Sequence, residues 1–492
     1  MNVAPPPPHG ELAFATSSTK SRLSRLTSTG KAIRLAPGVY AIGATLSPDE
    51  VSRRHRLAII AHFWPDAVVC AVSALNGGAP DEGTIYIATS GRQTSLTLPD
   101  CVVRPIPGPG PLPGDTPLPE GLSMSGPARA LVENVSVLGR PARQRAGTRA
   151  VEDRIDSYAR SGGPSRLRSI LNQLDAIAGR LDPAAVNLVR GRLVAALGTN
   201  EGVSPVSPLL AARLAGVPYD ASRLALIEDL VRNLLDRPPT PRPALALTSH
   251  WEWLAFFEAY FSNFIEGTEF TVADARSIAV DGVPFSSRPE DAHDVLATYR
   301  LASDPADRTT TPRTGDELID LLRARHQALM AARPDKHPGT FKERPNYAGG
   351  YEFVSPGLVA GTLIRGFDTL QQIREPLARA IGIMALVTEC HPFDDGNGRV
   401  ARLAANAELS AAGEVRIIIP TVYRNNYLAG LNAFSNGTGD GTPLIAVLEF
   451  AQRWTAAIDW EDYVACSELL ERCNAFLDPV RAESSGQRLR MP

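Results

Sequence analysis

The sequence predicts a mainly α-helical protein of several domains with an α+β segment near its start. Three observations point that way. Apolar residues recur at helical spacing over 150–235, over 375–390 and again from 399 onward. A single short stretch, KAIRLAPGVYAI, alternates instead, as a strand pair turning at Pro37-Gly38 would. Proline clusters at 5–10, 105–119 and 236–244 punctuate the chain, whose 492 residues suffice for about three domains.

Taken in order, residues 1–14 read as a disordered leader, because PPPPHG is a proline-rich run of the kind that stays extended. Residues 15–125 form the α+β block. STKSRLSRLTSTG has a helical rhythm that ends at Gly30, and the strand pair follows it, so a short basic helix and a two-stranded wing are expected. Between Glu11 and Asp49 there is no acidic residue, while Lys20, Arg22, Arg25, Lys31 and Arg34 are all basic. Such a span suits phosphates, and it would serve equally as a solvated face. PIPGPGPLPGDTPLP reads as an extended linker or surface loop. A helical connector over 126–240 and a helical block over 245–492 complete the chain.

Composition excludes several classes. Lys+Arg 50 against Asp+Glu 53 leaves a net charge of −3, so any nucleic-acid contact must be local. Five scattered cysteines, with no CxxC pair, argue against a disulfide scaffold or structural zinc and fit a reducing cytoplasm. No basic-then-apolar leader and no run of about 18 apolar residues occurs, so no membrane partner is expected.

The front block resembles the N-terminal part of antitoxins of the AbiEi kind. GVY at the wing, the LAIIAHFWPDAVVCAVSAL pair of helices and SGPARALVENV carry the likeness over residues 15–200. It implies a winged helix that contacts DNA through 18–41.

The densest chemistry lies at 391–402, HPFDDGNGRVAR, between one helical run ending at 390 and another that Gly413 should stop. Gly396 and Gly398 free the backbone to curl, so that successive amides, Asn397 among them, face inward at a helix N-terminus and cup phosphate oxygens. Arg399 and Arg402, three apart, can reach the same anion. Asp395 can hold one position of a Mg²⁺ whose other ligands are phosphate and water. His391 can take a proton from an attacking hydroxyl. Phe393 reads as an anchor in the core and Asp394 as a solvated neighbour.

This constellation matches the signature of the Fic family at every defining position: His391, Phe393, Asp395, Gly396, Asn397, Gly398, Arg399 and Arg402. The resemblance implies a mostly helical core with a β-hairpin flap, and transfer of AMP from ATP to a protein hydroxyl. His391 would be the base, Asp395 the Mg²⁺ ligand, Gly396, Asn397 and Gly398 the anion hole, and Arg399 and Arg402 the phosphate holders. Gly398 favours adenylylation over the phosphate transfer that accompanies a lysine there in the Doc-like branch.

The resemblance extends to PNYAGGYEFVSP, 345–356, as the flap on which a target protein docks edge-on. Ala348, Gly349, Gly350 and Tyr351 would line the adenosine, and Tyr427 and Asn436 would close the adenine side. Within a helix expected over 251–267, Ser262, Glu266 and Gly267 match the family's inhibitory motif, with Glu266 paired to Arg402. A glutamate near a helix end is the plainer reading of the same residue. The expected protein is therefore a self-restrained adenylyltransferase acting on Ser, Thr or Tyr, with removal of AMP as a second activity and a further copy of the chain as a candidate partner. The alternative is a DNA-binding toxin-antitoxin-type regulator in which the Fic block senses nucleotide or mediates interactions.

Overall fold

The structure, a computed structural model, describes residues 11–138, 142–198, 202–237, 251–436 and 440–492. The proline cluster at 5–10 and most of that at 236–244 lie outside them. Two compact units divide the chain at Gly216/Val217, and 58% of the residues are helical, so the mainly α expectation holds.

The first unit opens with β1 Leu12–Phe14, α1 Lys20–Ser28, β2 Ala32–Ala36 and β3 Val39–Ile42. Residues 12–14, expected in the disordered leader, instead pair with 39–41, and Leu12 is buried. The β2–β3 hairpin turns at Pro37-Gly38, where Gly38 takes φ +83°. All five basic residues of 20–34 are exposed.

Next come α2 Pro48–Phe63, β4 Val68–Val69, α3 Ala71–Leu75, β5 Thr84–Thr89, β6 Leu96–Thr97, β7 Val102–Pro107, β8 Thr116–Pro117 and β9 Ser123–Met124. The expected pair of helices in LAIIAHFWPDAVVCAVSAL is thus a helix, a strand and a short helix. Helix α2 ends at Phe63, Asp66 follows in a left-handed conformation (φ +60°), and the β-branched pair Val68-Val69 then inserts between β5 and β9 of a six-stranded sheet ordered β6-β7-β5-β4-β9-β8. The stretch 105–119 is no loose linker either. Asp115 accepts the backbone N–H groups of Leu112 and Gly126 (both 2.9 Å) and pairs with buried Arg129 (2.7 Å). Helices α4 Pro127–Val135, α5 Gly147–Ile177, α6 Pro183–Ala196 and α7 Pro208–Leu214 finish the unit, α5 kinking at Gly163-Pro164.

The second unit holds α8 Ala221–Leu235, α9 Trp251–Ile265, α10 Val272–Ala279, α11 Pro289–Ser303, α12 Pro305–Thr309 and α13 Gly315–Leu329. After them come the hairpin β10 Tyr347–Ala348 with β11 Tyr351–Glu352, then α14 Val359–Leu370, α15 Pro376–Cys390, α16 Asn397–Ala411, α17 Arg424–Asn436, α18 Thr442–Ala456, α19 Tyr463–Arg472 and α20 Pro479–Ser485. The stretch expected as one connector therefore divides, with α4–α7 in the first unit and α8 in the second. Helices α15 and α16 form the centre of the unit, buried along nearly their whole length. Glu375 caps α15 by accepting the Ala378 N–H (2.6 Å), and Gly413 (φ +70°) follows the end of α16. Helix α9 is anchored by Phe256, Phe257 and Phe261 against Trp454 and Trp460. No helix among the described residues is long and apolar enough to cross a membrane.

Candidate active site

Helix α15 stops because His391 turns left-handed (φ +46°), and α16 starts after Gly396 does the same (φ +72°). Between them Asn397 locks the loop. Its side-chain carbonyl accepts the Phe393 N–H and its amide donates to the Phe393 carbonyl (both 2.8 Å), as a paired strand would. Phe393 is fully buried and stacks on His326 at 3.8 Å and 4°. His326 in turn accepts the Gly339 N–H at Nδ1 (2.9 Å), so Nε2 carries the proton and donates to the Asp395 carbonyl (3.1 Å). The first amides of α16, which have no partner within the helix, stand at the end of this curl.

A methyl group at Gly396 would come 2.9 Å from Met330 Sδ and sit at a φ that costs an L-residue about 1–2 kcal/mol. Gly396→Ala is therefore expected to lower the unfolding free energy by about 1–3 kcal/mol. Gly350→Ala meets nothing within 4 Å and should leave the urea midpoint nearly unmoved.

The His391 ring is held from two sides. Phe353 stacks on its ring at 3.9 Å and 11°, and Nδ1 lies 3.3 Å from the Thr388 carbonyl, which assigns the proton to Nδ1 and a lone pair to Nε2. Burial pushes its pKa down to about 4, with the Lys342 charge acting in the same sense and the Thr388 carbonyl, Glu266 and Asp395 opposing. Burial does the same to His326, also to about 4. Unfolded histidines bind protons below about 6.5, so stability is full above that pH and is lost as pH falls from 6.5 through 4. Urea midpoints taken from about pH 7 to about 4.5 are expected to fall, with a shallower slope in His326→Gln, whose amide keeps the N–H toward Asp395.

The two arginines part company. Arg402 donates to the Ser262 hydroxyl and carbonyl (both 2.9 Å) and pairs with Glu266 (2.7 Å). The Glu266 carboxylate lies against Gly398: a side chain there would collide with Glu266 Oε1 and come 3.0 Å from an Arg402 nitrogen. Arg399, expected beside it on the same anion, instead pairs with buried Asp294 (2.6 Å), which also bonds Arg333 (3.0 Å).

Of the remaining expected residues, Asp395 is half-buried and accepts the Gly396 N–H (2.6 Å). Asp394 pairs with His337 (2.8 Å). The hairpin forms with Ala348 opposite Tyr351 across Gly349-Gly350 and Gly349 at φ +60°. Its Tyr351 hydroxyl meets Glu389 and Arg223, itself 3.2 Å from Glu389. Tyr427 was expected on the adenine side. Its ring is buried in the helical core, with the hydroxyl 3.6 Å from Met384 Sδ and Arg402 6.0 Å from the ring. Asn436 sits exposed at the end of α17. Sequence reasoning missed Lys342, Asn346 and Phe353, and also Asp294 and His326. An aromatic directly after the hairpin was a signal for Phe353; nothing local marks the others.

Residues 317–409, from α13 to α16 and so including hairpin and loop, match the family model described as the Fic/DOC family. Among curated proteins, the chain is 29% identical over 189 residues to the protein adenylyltransferase Fic of Drosophila yakuba, covering 37% of this chain and 38% of that one. The counterpart in Drosophila melanogaster is 28% identical over the same length, at 37% and 38% coverage. The chain thus spans well under half the length of these relatives. Among solved structures, Fic-1 of C. elegans is similar with a TM-score of 0.36 at 20% identity, over 63% of this chain and 87% of that one. A Fic domain containing signaling protein from Bacteroides thetaiotaomicron has a TM-score of 0.37 at 20% identity, over 48% and 94%.

Proposed function

We propose that the chain is a protein adenylyltransferase whose resting site is blocked by Glu266. The observation that carries this reading is the loop at 391–398, where a histidine with its Nε2 lone pair available stands beside a helix N-terminus. In the reaction, His391 Nε2 takes the proton of a Ser, Thr or Tyr hydroxyl on a target protein. The freed oxygen bonds to the α-phosphorus of ATP, the bond from that phosphorus to the bridging oxygen breaks, and pyrophosphate leaves. The amides of Asn397 and Gly398, in the first turn of α16, receive the phosphates, with the Gly396 N–H kept by Asp395 and Arg402 as the guanidinium beside Gly398. Arg399 acts by fixing α16 through Asp294.

Asp395 fits one ligand of a Mg²⁺: a half-exposed carboxylate with a hard oxygen left over after Gly396 N–H is satisfied. No cluster of three metal-ligating side chains occurs among the described residues, so phosphate and water would complete the shell. When bound, the ion would neutralise phosphate charge. The target segment docks along the exposed hairpin strand by backbone pairing, and the adenosine lies against 348–351. Removal of AMP, with Glu266 orienting water, is a second activity of the same site.

Incubation with labelled ATP and Mg²⁺ tests the reading. Glu266→Gly should label itself or a lysate protein; absence of label, or label that persists unchanged when His391→Ala is added, would sink it.

A second reading concerns the first unit. Its five exposed cations on 20–34 support DNA contact through 18–41, in keeping with an AbiEi-like regulator joined to a transferase. Binding to the chain's own upstream DNA should then weaken with salt and with Arg22→Ala/Arg25→Ala; no retardation at low salt would remove it.

A further inference from the structure

The segment that leads into the hairpin grips the loop that follows α15. Four successive carbonyls are taken by one short segment: Cys390 by Lys342 Nζ (3.3 Å), His391 by the Asn346 amide (3.3 Å), Pro392 by the Lys342 N–H (2.9 Å) and Phe393 again by Asn346 (3.0 Å). Lys342 Nζ also donates to Asn346 Oδ1 (2.6 Å), which orients the amide so that both its hydrogens face the loop. A few residues on, Phe353 N–H returns to the Asn346 carbonyl (3.2 Å) and its ring covers His391.

We propose that Lys342 and Asn346 are positioning residues that set His391 and the curl of 391–398, so that the root of the hairpin holds the base in place. Three features support this. His391 occupies a left-handed conformation that an L-residue holds only when its surroundings over-determine it, and these bonds do so. Drawing four carbonyls to one side turns the amides that follow toward the other, where the α16 N-terminus lies. Lys342 is almost wholly buried, and its hydrogen-bond partners are neutral oxygens, a costly placement for an ammonium. Burial lowers its pKa to about 8.

The inference rests on the transferase reading for its kinetic arm only. Asn346→Asp keeps the size and the acceptor for Lys342 but loses both donors to the loop. In the full chain carrying Glu266→Gly, with ATP as substrate and self-labelling followed by intact mass, kcat should fall about 10- to 100-fold with KM for ATP within about twofold. Amide exchange across 391–398 should accelerate. Lys342→Met should do likewise and Lys342→Arg should recover part of the rate. Unchanged exchange in that segment would overturn the proposal, as would a lowered melting temperature with kcat intact. If the Glu266→Gly parent transfers no AMP, the functional reading falls, and exchange at 391–398 alone decides whether the brace exists.

Discussion

His391→Ala in a Glu266→Gly chain is expected to lower AMP transfer by about 10²- to 10⁴-fold while ATP binding persists. On the proposed mechanism the imidazole takes the hydroxyl proton at Nε2: Nδ1 is committed to Thr388 and Phe353 fixes the ring plane. The phosphate-facing amides belong to other residues, so calorimetry with ATP should give a dissociation constant within a few-fold of the parent. Alanine at φ +46° adds strain, and His391→Asn, which tolerates that conformation, separates chemistry from folding. Equal rates for parent and His391→Asn would remove histidine from the mechanism.

Glu266→Gly is expected to raise AMP transfer by about 10- to 100-fold. The carboxylate lies beside Gly398 and holds Arg402, so a phosphate entering there meets a like charge. At about 4 Å and an effective dielectric of about 20, such repulsion amounts to about 4 kcal/mol. The Glu266 side chain is 30% exposed, so solvent screens much of it, and about 1.4–2.8 kcal/mol, or one to two decades, is the expected share. Glu266→Gln keeps the bulk and removes the charge. Rates for Gln close to those for Gly would assign the effect to electrostatics, and no gain in either would refute the inhibitory role. Loss of stability should stay small, because Arg402 keeps both bonds to Ser262.

What could be read in advance divides by range. The curl at 391–398 is encoded by glycines and neighbours within a few residues, and the hairpin at 347–352, expected from the family resemblance, turns at Gly349-Gly350. Asp294 claims Arg399 from 105 residues away and Lys342 reaches Cys390 across 48, pairings that no periodicity reveals. Val68-Val69 misled for a different reason. A short apolar run between turns suits a buried strand or a helix equally, and only the presence of Ile87 and Ser123 on either side chose the strand. In 105–119 the prolines suggested a spacer, yet one aspartate inside the run recruits Arg129 and two amides and pins it down.

The unequal lives of Arg399 and Arg402 have a further consequence. One guanidinium works as a bolt, sealed against Asp294 and sharing it with Arg333; the other is tethered to a single carboxylate that solvent can reach. On the proposed reading, displacing that one side chain changes the local field from neutral to positive while the bolted helix stands still, so a single residue's shift arms the site.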